Sequence, residues 1–260
     1  MKEYLYNNIN IISVEGRNCI EYLQGRITND IKNLSSESPL QLNAVCNEKG
    51  RVLVLCFTLF ISETEILLAI PKGISDKIID ELKRYSIFSK VNIFKNEKYC
   101  LIKSNQKESL FEHMIVTRKL LDKRKIDILE IYKSNIKRKL PIIDESNIGI
   151  FTPSDLELER FNAISYKKGC FMGQEIIARM KYIGKKTKKL LSIKCKKFVT
   201  SEQEILDSKF ISIGSIINSI SDDHSTYALI ILKKGCSLFK DRKSIFFIKD
   251  IGERKIISYY

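Results

Sequence analysis

The residues with the clearest chemical potential lie in the nine-residue segment 167–175, Lys-Lys-Gly-Cys-Phe-Met-Gly-Gln-Glu. Its thiol, Cys170, is a candidate nucleophile, and Gly169 and Gly173 stand close on either side of it. Each glycine costs backbone entropy unless the site needs unusual dihedral angles or a close approach of another chain segment. The density of glycine therefore indicates a specialised turn around Cys170.

Charge and helix position predict that Cys170 favours the thiolate form. A helical pattern begins at Gln174, so the thiol would lie near the positive end of the helix dipole. Lys167 and Lys168 add positive charge beside it, and both effects stabilise a thiolate. Gln174 and Glu175 could bond orphan backbone amides or the edge of a ligand.

Two other interpretations stay open on spacing alone. The segment could be a glycine-rich turn before a helix, with Cys170 a small packed residue. It could also hold the nucleophile of a Cys–His hydrolase, but His113 and His224 are remote in sequence and nothing points to such a pairing. The seven cysteines are odd in number and lack a CxxC pair. A disulfide framework or a metal site is therefore not indicated.

The elements that must position this segment follow an α+β order. Strand patterns are followed by helical patterns over the first half of the chain, and residues 47–50, Asn-Glu-Lys-Gly, are typical of a hairpin turn. Residues 28–30, Thr-Asn-Asp, offer turn or cap chemistry. The predicted strands are 9–14, 41–46, 52–61, 66–70, 91–94 and 99–102, and the predicted helices are 19–23, 75–85, 108–114, 126–136, 155–161 and 174–180.

After residue 190 the pattern changes to short strands at roughly ten-residue spacing, which indicates a small barrel or sandwich. The predicted strands there are 190–195, 210–218, 227–232 and 244–249. The lysine-rich run 185–189 is the predicted boundary. We therefore expect a body over residues 1–187 and a β-barrel domain over residues 188–260.

The charge is strongly positive, +14 over 260 residues. Between residues 167 and 197 there are ten lysines and one arginine against one carboxylate, Glu175. This stretch could meet a nucleic acid or a polyanionic cofactor tail, or it could simply solvate the surface. No apolar run reaches the roughly 18–20 residues that span a bilayer, and the start lacks the layout of a signal peptide. A cytoplasmic protein without membrane contact is predicted.

Several blocks resemble one family. Residues 168–175 resemble the K-G-C-[YF]-x-G-Q-E signature of the YgfZ family, folate-binding proteins linked to iron–sulfur cluster maintenance. Residues 22–30, Tyr-Leu-Gln-Gly-Arg-Ile-Thr-Asn-Asp, resemble its "F/Y-LQGQ-x-T-x-D" element, and residues 49–51 resemble its "KGR" hairpin. Residues 140–144 and 151–153 resemble its "IP-x-ID…F-x-P" run. The blocks stand in family order from residue 9 to about residue 195.

The resemblance implies the fold of the glycine-cleavage T-protein superfamily, an α+β folate-binding body followed by a small C-terminal β-barrel. It also implies tetrahydrofolate, or a derivative, as the cofactor. The candidate folate residues are two short groups, which could equally be a capped turn and a solvated hairpin. They are Thr28, Asn29 and Asp30, with Lys49 and Arg51.

Three functions follow from these features. The leading hypothesis is a tetrahydrofolate-binding accessory factor for the assembly or repair of iron–sulfur enzymes, including tRNA-modifying ones, with Cys170 as a transient thiolate. The second is a folate-dependent aminomethyl or one-carbon transferase. It is less favoured because residues 68–71 stand where such enzymes show an Asn-Ala element and a catalytic Asp, and Asp76 is the nearby carboxylate. The third is a tRNA-binding module using the basic stretch 181–197, which could instead bind polyglutamylated folate.

Overall fold

The computed structural model describes residues 4–6, 8–103, 113–117, 128–184, 186–196, 199–201, 203–207, 209–235, 245–248 and 252–259. The chain forms two compact units. Unit 1 comprises residues 1–126 and 143–182, and unit 2 comprises residues 127–142 and 183–260. Residues 127–142 thus group with the C-terminal unit, whereas the sequence assigns them to the body, because their helix packs on strands of unit 2.

A five-stranded antiparallel sheet forms the frame of unit 1. Its strand order is β3-β4-β5-β2-β6, and β3 and β4 form the predicted hairpin across residues 47–51. Alternate and continuous apolar runs, such as Val-Leu-Val-Leu-Cys-Phe in β4, place the sheet's side chains in the core. The strands are β2 (Ile9–Glu15), β3 (Leu40–Cys46), β4 (Val52–Ser62), β5 (Glu65–Pro71) and β6 (Asn92–Lys95).

Two helices of unit 1 pack beside this sheet. Helix α1 (Cys19–Gln24) buries Tyr22 and Leu23. Helix α2 (Ser75–Lys83) buries Ile78, Ile79 and Leu82, the three residues that the helical period predicts to face inward. The two helices are joined by the Tyr22 hydroxyl, which donates a hydrogen bond to the carbonyl of Leu82 over 2.5 Å.

A smaller sheet in unit 1 corrects one prediction. Strands β1 (Tyr4–Leu5), β7 (Tyr99–Lys103) and β8 (His113–Thr117) pair antiparallel in the order β1-β7-β8. The predicted helix 108–114 is wrong at His113 and Met114, which lie in β8. Their pairing with β7 supplies the non-local hydrogen bonds that a local helical pattern does not reveal. Residues 108–112 lie outside the described residues.

Unit 2 is built from six antiparallel strands in the closed order β10-β11-β12-β9-β14-β13. Its interior holds an apolar cluster that includes Ile193, Ile205, Ala228 and Ile248. Helix α3 (Ile128–Arg138) packs against β9, β11 and β12. The strands are β9 (Lys188–Cys195), β10 (Glu204–Leu206), β11 (Ser212–Ser221), β12 (Thr226–Lys233), β13 (Ile245–Ile248) and β14 (Gly252–Tyr259).

The sequence pattern does not predict β10 and β14, and it predicts that β11 begins at residue 210, two residues before its observed start. Phe210 has a left-handed backbone angle, φ +59°, within a turn closed by its bond to the Asp207 carbonyl. The strand therefore begins only at Ser212. A bulky aromatic in that conformation is uncommon, so a pattern of apolar residues does not predict the break.

The segment before the Cys170 motif is less helical than predicted. Of residues 155–161 only Leu158–Phe161 is helical, as a short 3₁₀ turn. Glu157 and Asn162 flank it, each with φ +51°, which prevents the turn from growing in either direction. Helix α4 (Gln174–Tyr182) then begins where the pattern predicts. No helix in the described part of the chain is long and apolar enough to cross a membrane.

Candidate thiol site

Three sequence blocks that lie far apart in the chain meet in unit 1. The motif loop, residues 167–173, contacts the turn at residues 25–30 and the hairpin at residues 47–51. The Met172 amide of the loop donates to the Gly25 carbonyl over 3.1 Å, and just before the loop the Ser165 amide donates to the Thr28 carbonyl over 3.0 Å. The structure thus brings all the predicted site residues into one region.

The motif loop is held to the turn by the Lys168 side chain. This lysine is buried, and its ammonium donates to the carbonyls of Ile27 and Asn29, each over 2.8 Å. The ammonium also lies 5.2 Å from the centre of the Phe171 ring. Burial lowers the pKa of Lys168 to about 8, and the charge of Asp30 opposes that shift. The charge of Lys168 is thus used to hold the turn.

Gly173 and Gly50 interlock the motif with the hairpin. Gly173 has φ +78°, and a Cβ there would lie 2.5 Å from the Asn47 carbonyl oxygen and 2.9 Å from the Gly50 Cα. Gly50 has φ +66°, and its Cβ would lie 3.2 Å from the Ile177 side chain. These contacts confirm the expectation of an unusual backbone at Gly173. Gly169, in contrast, has no heavy atom within 4 Å of a built Cβ.

Gln174 fastens the loop to the start of α4. Its backbone amide donates to the Phe171 carbonyl over 3.0 Å, and its side-chain oxygen accepts from the Phe171 amide over 3.2 Å. Phe171 is buried, whereas Glu175 is exposed. Of the two uses predicted for Gln174, the structure therefore shows the bond to a backbone amide.

Cys170 is exposed, whereas the other free cysteines of the described residues are buried. It lines an open groove with Met172, Ile176 and two carboxylate residues, Glu48 and Glu175. Burial raises the pKa of Cys46 and of Cys56, which keeps these two as protonated core thiols. Cys170 is the only described cysteine that solvent can reach.

The turn residues predicted to bind folate use their polar groups inside the chain. Thr28 is fully buried, donating to the Ala163 carbonyl over 2.6 Å and accepting from the Ala44 amide over 2.9 Å. Asn29 donates to the Asn162 carbonyl over 2.6 Å. Asp30 caps a 3₁₀ turn by accepting from the Lys32 amide. The predicted cap chemistry is confirmed.

The two hairpin candidates differ in exposure. Lys49 is exposed at the tip, where its amide donates to the Asn47 side-chain oxygen over 3.0 Å. The Arg51 guanidinium is 39% exposed, donates to the Ile150 carbonyl over 2.8 Å and lies 3.9 Å from the Asp155 carboxylate. Lys49 therefore presents its charge outward, while Arg51 also ties the hairpin to the loop at residues 147–153.

A clamp that the sequence did not reveal fixes the far end of α4. Glu159 accepts from the Tyr166 hydroxyl over 2.7 Å and pairs with the Lys181 ammonium over 2.5 Å. Tyr166 also meets the Tyr182 ring edge-on at 5.9 Å between centroids. Burial and the bond to Glu159 raise the pKa of Tyr166. The spacing of these residues follows no helical or strand period, so no local signal marks the clamp.

Comparison with solved structures gives the class of fold. A crystal structure of the glycine cleavage system aminomethyltransferase T from Bartonella henselae superposes with a TM-score of 0.73 at 14% identity, covering 98% of this chain and 83% of that one. The chain therefore has the T-protein fold within the α+β class, as predicted. No family model matches the chain.

Sequence relatives give the family. A "tRNA-modifying protein YgfZ" from Buchnera aphidicola subsp. Acyrthosiphon pisum is 33% identical over 252 residues, which are 80% of this chain and 75% of the relative. One from Klebsiella pneumoniae is 30% identical, covering 67% of this chain and 65% of its own length. An uncharacterized protein of Haemophilus influenzae is 27% identical over 85% of each chain. The chain belongs to the YgfZ family, which confirms the predicted resemblance.

Proposed function

We propose that this chain is a tetrahydrofolate-binding accessory factor that supports the assembly or repair of iron–sulfur enzymes, including enzymes that modify tRNA. The observation that carries the proposal is the presentation of Cys170. One exposed thiol stands on a loop that Lys168, Gly173 and Gln174 each fasten to a different part of unit 1. The names of the YgfZ relatives support the link to tRNA modification.

The chemistry that suits Cys170 is thiol–disulfide exchange on an oxidised client cysteine. Its thiolate would attack one sulfur of the client's disulfide, forming a new S–S bond while the old one breaks, and the leaving sulfur takes up a proton. Two molecules of a low-molecular-weight cellular thiol would then complete the reduction. The first displaces the client's sulfur as a thiol and forms a mixed disulfide with Cys170, and the second displaces Cys170 as a thiol and leaves as the small-molecule disulfide. The described residues hold no group of three or more metal-ligating side chains. A stable cluster usually needs four protein thiolates, and the cysteine spacing in the sequence does not suggest such a set, so the proposal makes Cys170 a transient thiol.

Folate would contact the exposed hairpin more readily than the buried turn. Lys49, and in part Arg51, can meet the carboxylates of the glutamate tail. Thr28 and Asn29 would shape the pocket wall, since their polar groups already bond within the chain. Asp30, half-buried, is the remaining candidate for the N–H donors of a pterin ring. Bound tetrahydrofolate would supply a carrier for one-carbon groups.

A one-carbon transferase is the second candidate, because the T-protein fold is shared with an aminomethyltransferase. The nearby carboxylate, Asp76, lies on the surface with its side chain 77% exposed, and pairs with Lys95 over 2.7 Å. A general base needs a position beside the substrate and a suitable pKa, so this surface ion pair does not favour transfer chemistry.

Unit 2, the cellular partners and the basic stretch complete the proposed function. The closed strand order of unit 2 would correspond to the small C-terminal barrel, which residues 188–260 contribute, while helix α3, from within the proposed body 1–187, packs on its strands. Iron–sulfur enzymes would be the partners in the cytoplasm, and the stretch 181–197 would meet a polyglutamate tail or tRNA.

Two measurements test the proposed function. In a strain lacking this protein, we expect the activity of [4Fe–4S] enzymes to fall under oxidative stress and to recover when the chain is supplied. In an equilibrium titration, we expect tetrahydrofolate to bind the purified chain, with weaker binding to Lys49→Ala than to the matched surface variant Lys77→Ala. Unchanged [4Fe–4S] activities in the deletion strain would overturn the proposal.

A further inference from the structure

Helix α4 buries very little of its surface. Of its nine residues only Ile177 is buried, whereas a helix on a folded domain normally buries an apolar stripe at i, i+3, i+4 and i+7. Ile176 and Met180 are 36% and 38% exposed. They stand four residues apart, so they are neighbours on one face of the helix. That face is apolar and exposed.

The exposed face is continuous with the groove at Cys170. Ile176 belongs to the face and also lines the groove, together with Met172 from the motif loop. Two of the chain's four methionines, Met172 and Met180, lie in this region. Methionine is flexible and polarisable, so methionine-rich surfaces adapt to partners of different shape. We call Met172, Ile176 and Met180 the apolar strip.

Charge is unevenly distributed along the strip. Glu48 and Glu175 line the groove, at the end of α4 nearest to Cys170. Arg179 and Lys181 lie in the last turn of the helix. A partner segment that complements this pattern would place a basic side chain at the groove and an acidic side chain beside Arg179.

The helix that carries the strip is held by contacts at both of its ends. Gly173 and Gly50 interlock at the start of α4, and Glu159 holds Lys181 at its end. A surface that is already ordered binds with less loss of conformational entropy. A small apolar strip can therefore give measurable affinity.

We propose that the apolar strip is the docking surface for an apolar segment of a client protein, which brings the client's oxidised cysteine to Cys170. This inference rests on the proposed function and adds how a client is recognised. The occupant is a protein segment with one basic and one acidic residue flanking its apolar side chains. A single adaptable strip of this kind would serve several client enzymes.

The test makes the same kind of substitution, an exposed apolar residue to glutamate, on the apolar strip and at a distant surface position. The probe is a purified [4Fe–4S] tRNA-modifying enzyme whose activity falls in the deletion strain, titrated with the full chain by calorimetry. Met180→Glu should raise Kd by at least about tenfold, the loss typical of an interface anchor. The control Phe88→Glu changes a 93% exposed side chain elsewhere in unit 1 and should leave Kd within about twofold.

A second pair of variants tests the charge pattern. Arg179→Glu should weaken binding, whereas Lys77→Glu, on the exposed face of α2, should not. Equal Kd values for Met180→Glu and the native chain would overturn the inference. Dimers of the native chain that Met180→Glu dissociates in sedimentation would also overturn it, because the occupant would then be a second copy.

Failure of this inference can be told apart from failure of the proposed function. Met180→Glu is expected to keep native stability and tetrahydrofolate binding while losing support of [4Fe–4S] activity in cells. If Met180→Glu supports full activity in a strain that needs the native chain, the docking strip is wrong and the proposed function stands. If the strain does not need the native chain, the proposed function itself fails.

Discussion

The turn at residues 25–30 and the motif loop at residues 167–173 are both rich in reactive or polar groups, yet the two segments direct those groups oppositely. In the turn, the Thr28 hydroxyl and the Asn29 side-chain amide form hydrogen bonds with backbone carbonyls and amides of the same unit. The loop sends Lys168 inward to the turn and leaves Cys170 outside. The polar groups of the turn therefore stabilise the fold, whereas the motif loop exposes a thiol.

The largest effect on stability is expected in the interlock of the loop with the hairpin. Gly173→Ala would place a Cβ 2.5 Å from the Asn47 carbonyl oxygen at a φ of +78°, so we expect a loss of about 2–4 kcal/mol in the free energy of unfolding. The control Gly169→Ala, with open space around its Cβ, should change it by less than about 0.5 kcal/mol. Urea unfolding measures both, and equal losses would remove the distinction between the two glycines.

A slightly smaller loss is expected in the turn. Thr28→Val removes the hydroxyl that serves the Ala163 carbonyl and the Ala44 amide, leaving both buried groups unpaired. We expect a loss of about 2 kcal/mol. The matched surface variant is Lys49→Ala, at the exposed hairpin tip, and it should leave the free energy of unfolding unchanged. An unchanged free energy of unfolding for Thr28→Val would show that this hydroxyl does not stabilise the fold.

The smallest stability effect is a pH dependence at Lys168. Its folded pKa is about 8, below the ordinary 10.5, so between these values the unfolded chain binds more protons than the folded chain. Stability should therefore rise with pH in this window relative to Lys168→Met, by about 1 kcal/mol between about pH 7.5 and 9. Parallel pH profiles for the native chain and the variant would show that burial of the ammonium has no such cost.

Local signals predicted much of the scaffold and of the site. The hairpin at residues 47–51, the start of α4 at Gln174 and the strained Gly173 each follow from turn or cap chemistry within a few residues. The direction of Lys168 could not be predicted, because its acceptors lie about 140 positions away in the chain. The helix predicted over residues 108–114 is wrong at His113 and Met114 for the same reason, since the partner strand β7 is non-local.

The charges around Cys170 differ from those that the sequence predicts. From the sequence, Lys168 is expected to lie beside Cys170 and to favour the thiolate. In the structure, the Lys168 ammonium donates hydrogen bonds to two carbonyls of the turn. Glu48 and Glu175 line the groove instead. The thiolate form of Cys170 stays a prediction.

Cys170 is the proposed working thiol, and one comparison in cells tests this role most directly. Cys170→Ser should leave the free energy of unfolding within about 0.5 kcal/mol of the native value, because the side chain is exposed. We predict that this variant, supplied to a strain lacking the protein, fails to restore [4Fe–4S] enzyme activity under oxidative stress, whereas the native chain restores it. Full restoration by Cys170→Ser would contradict the account.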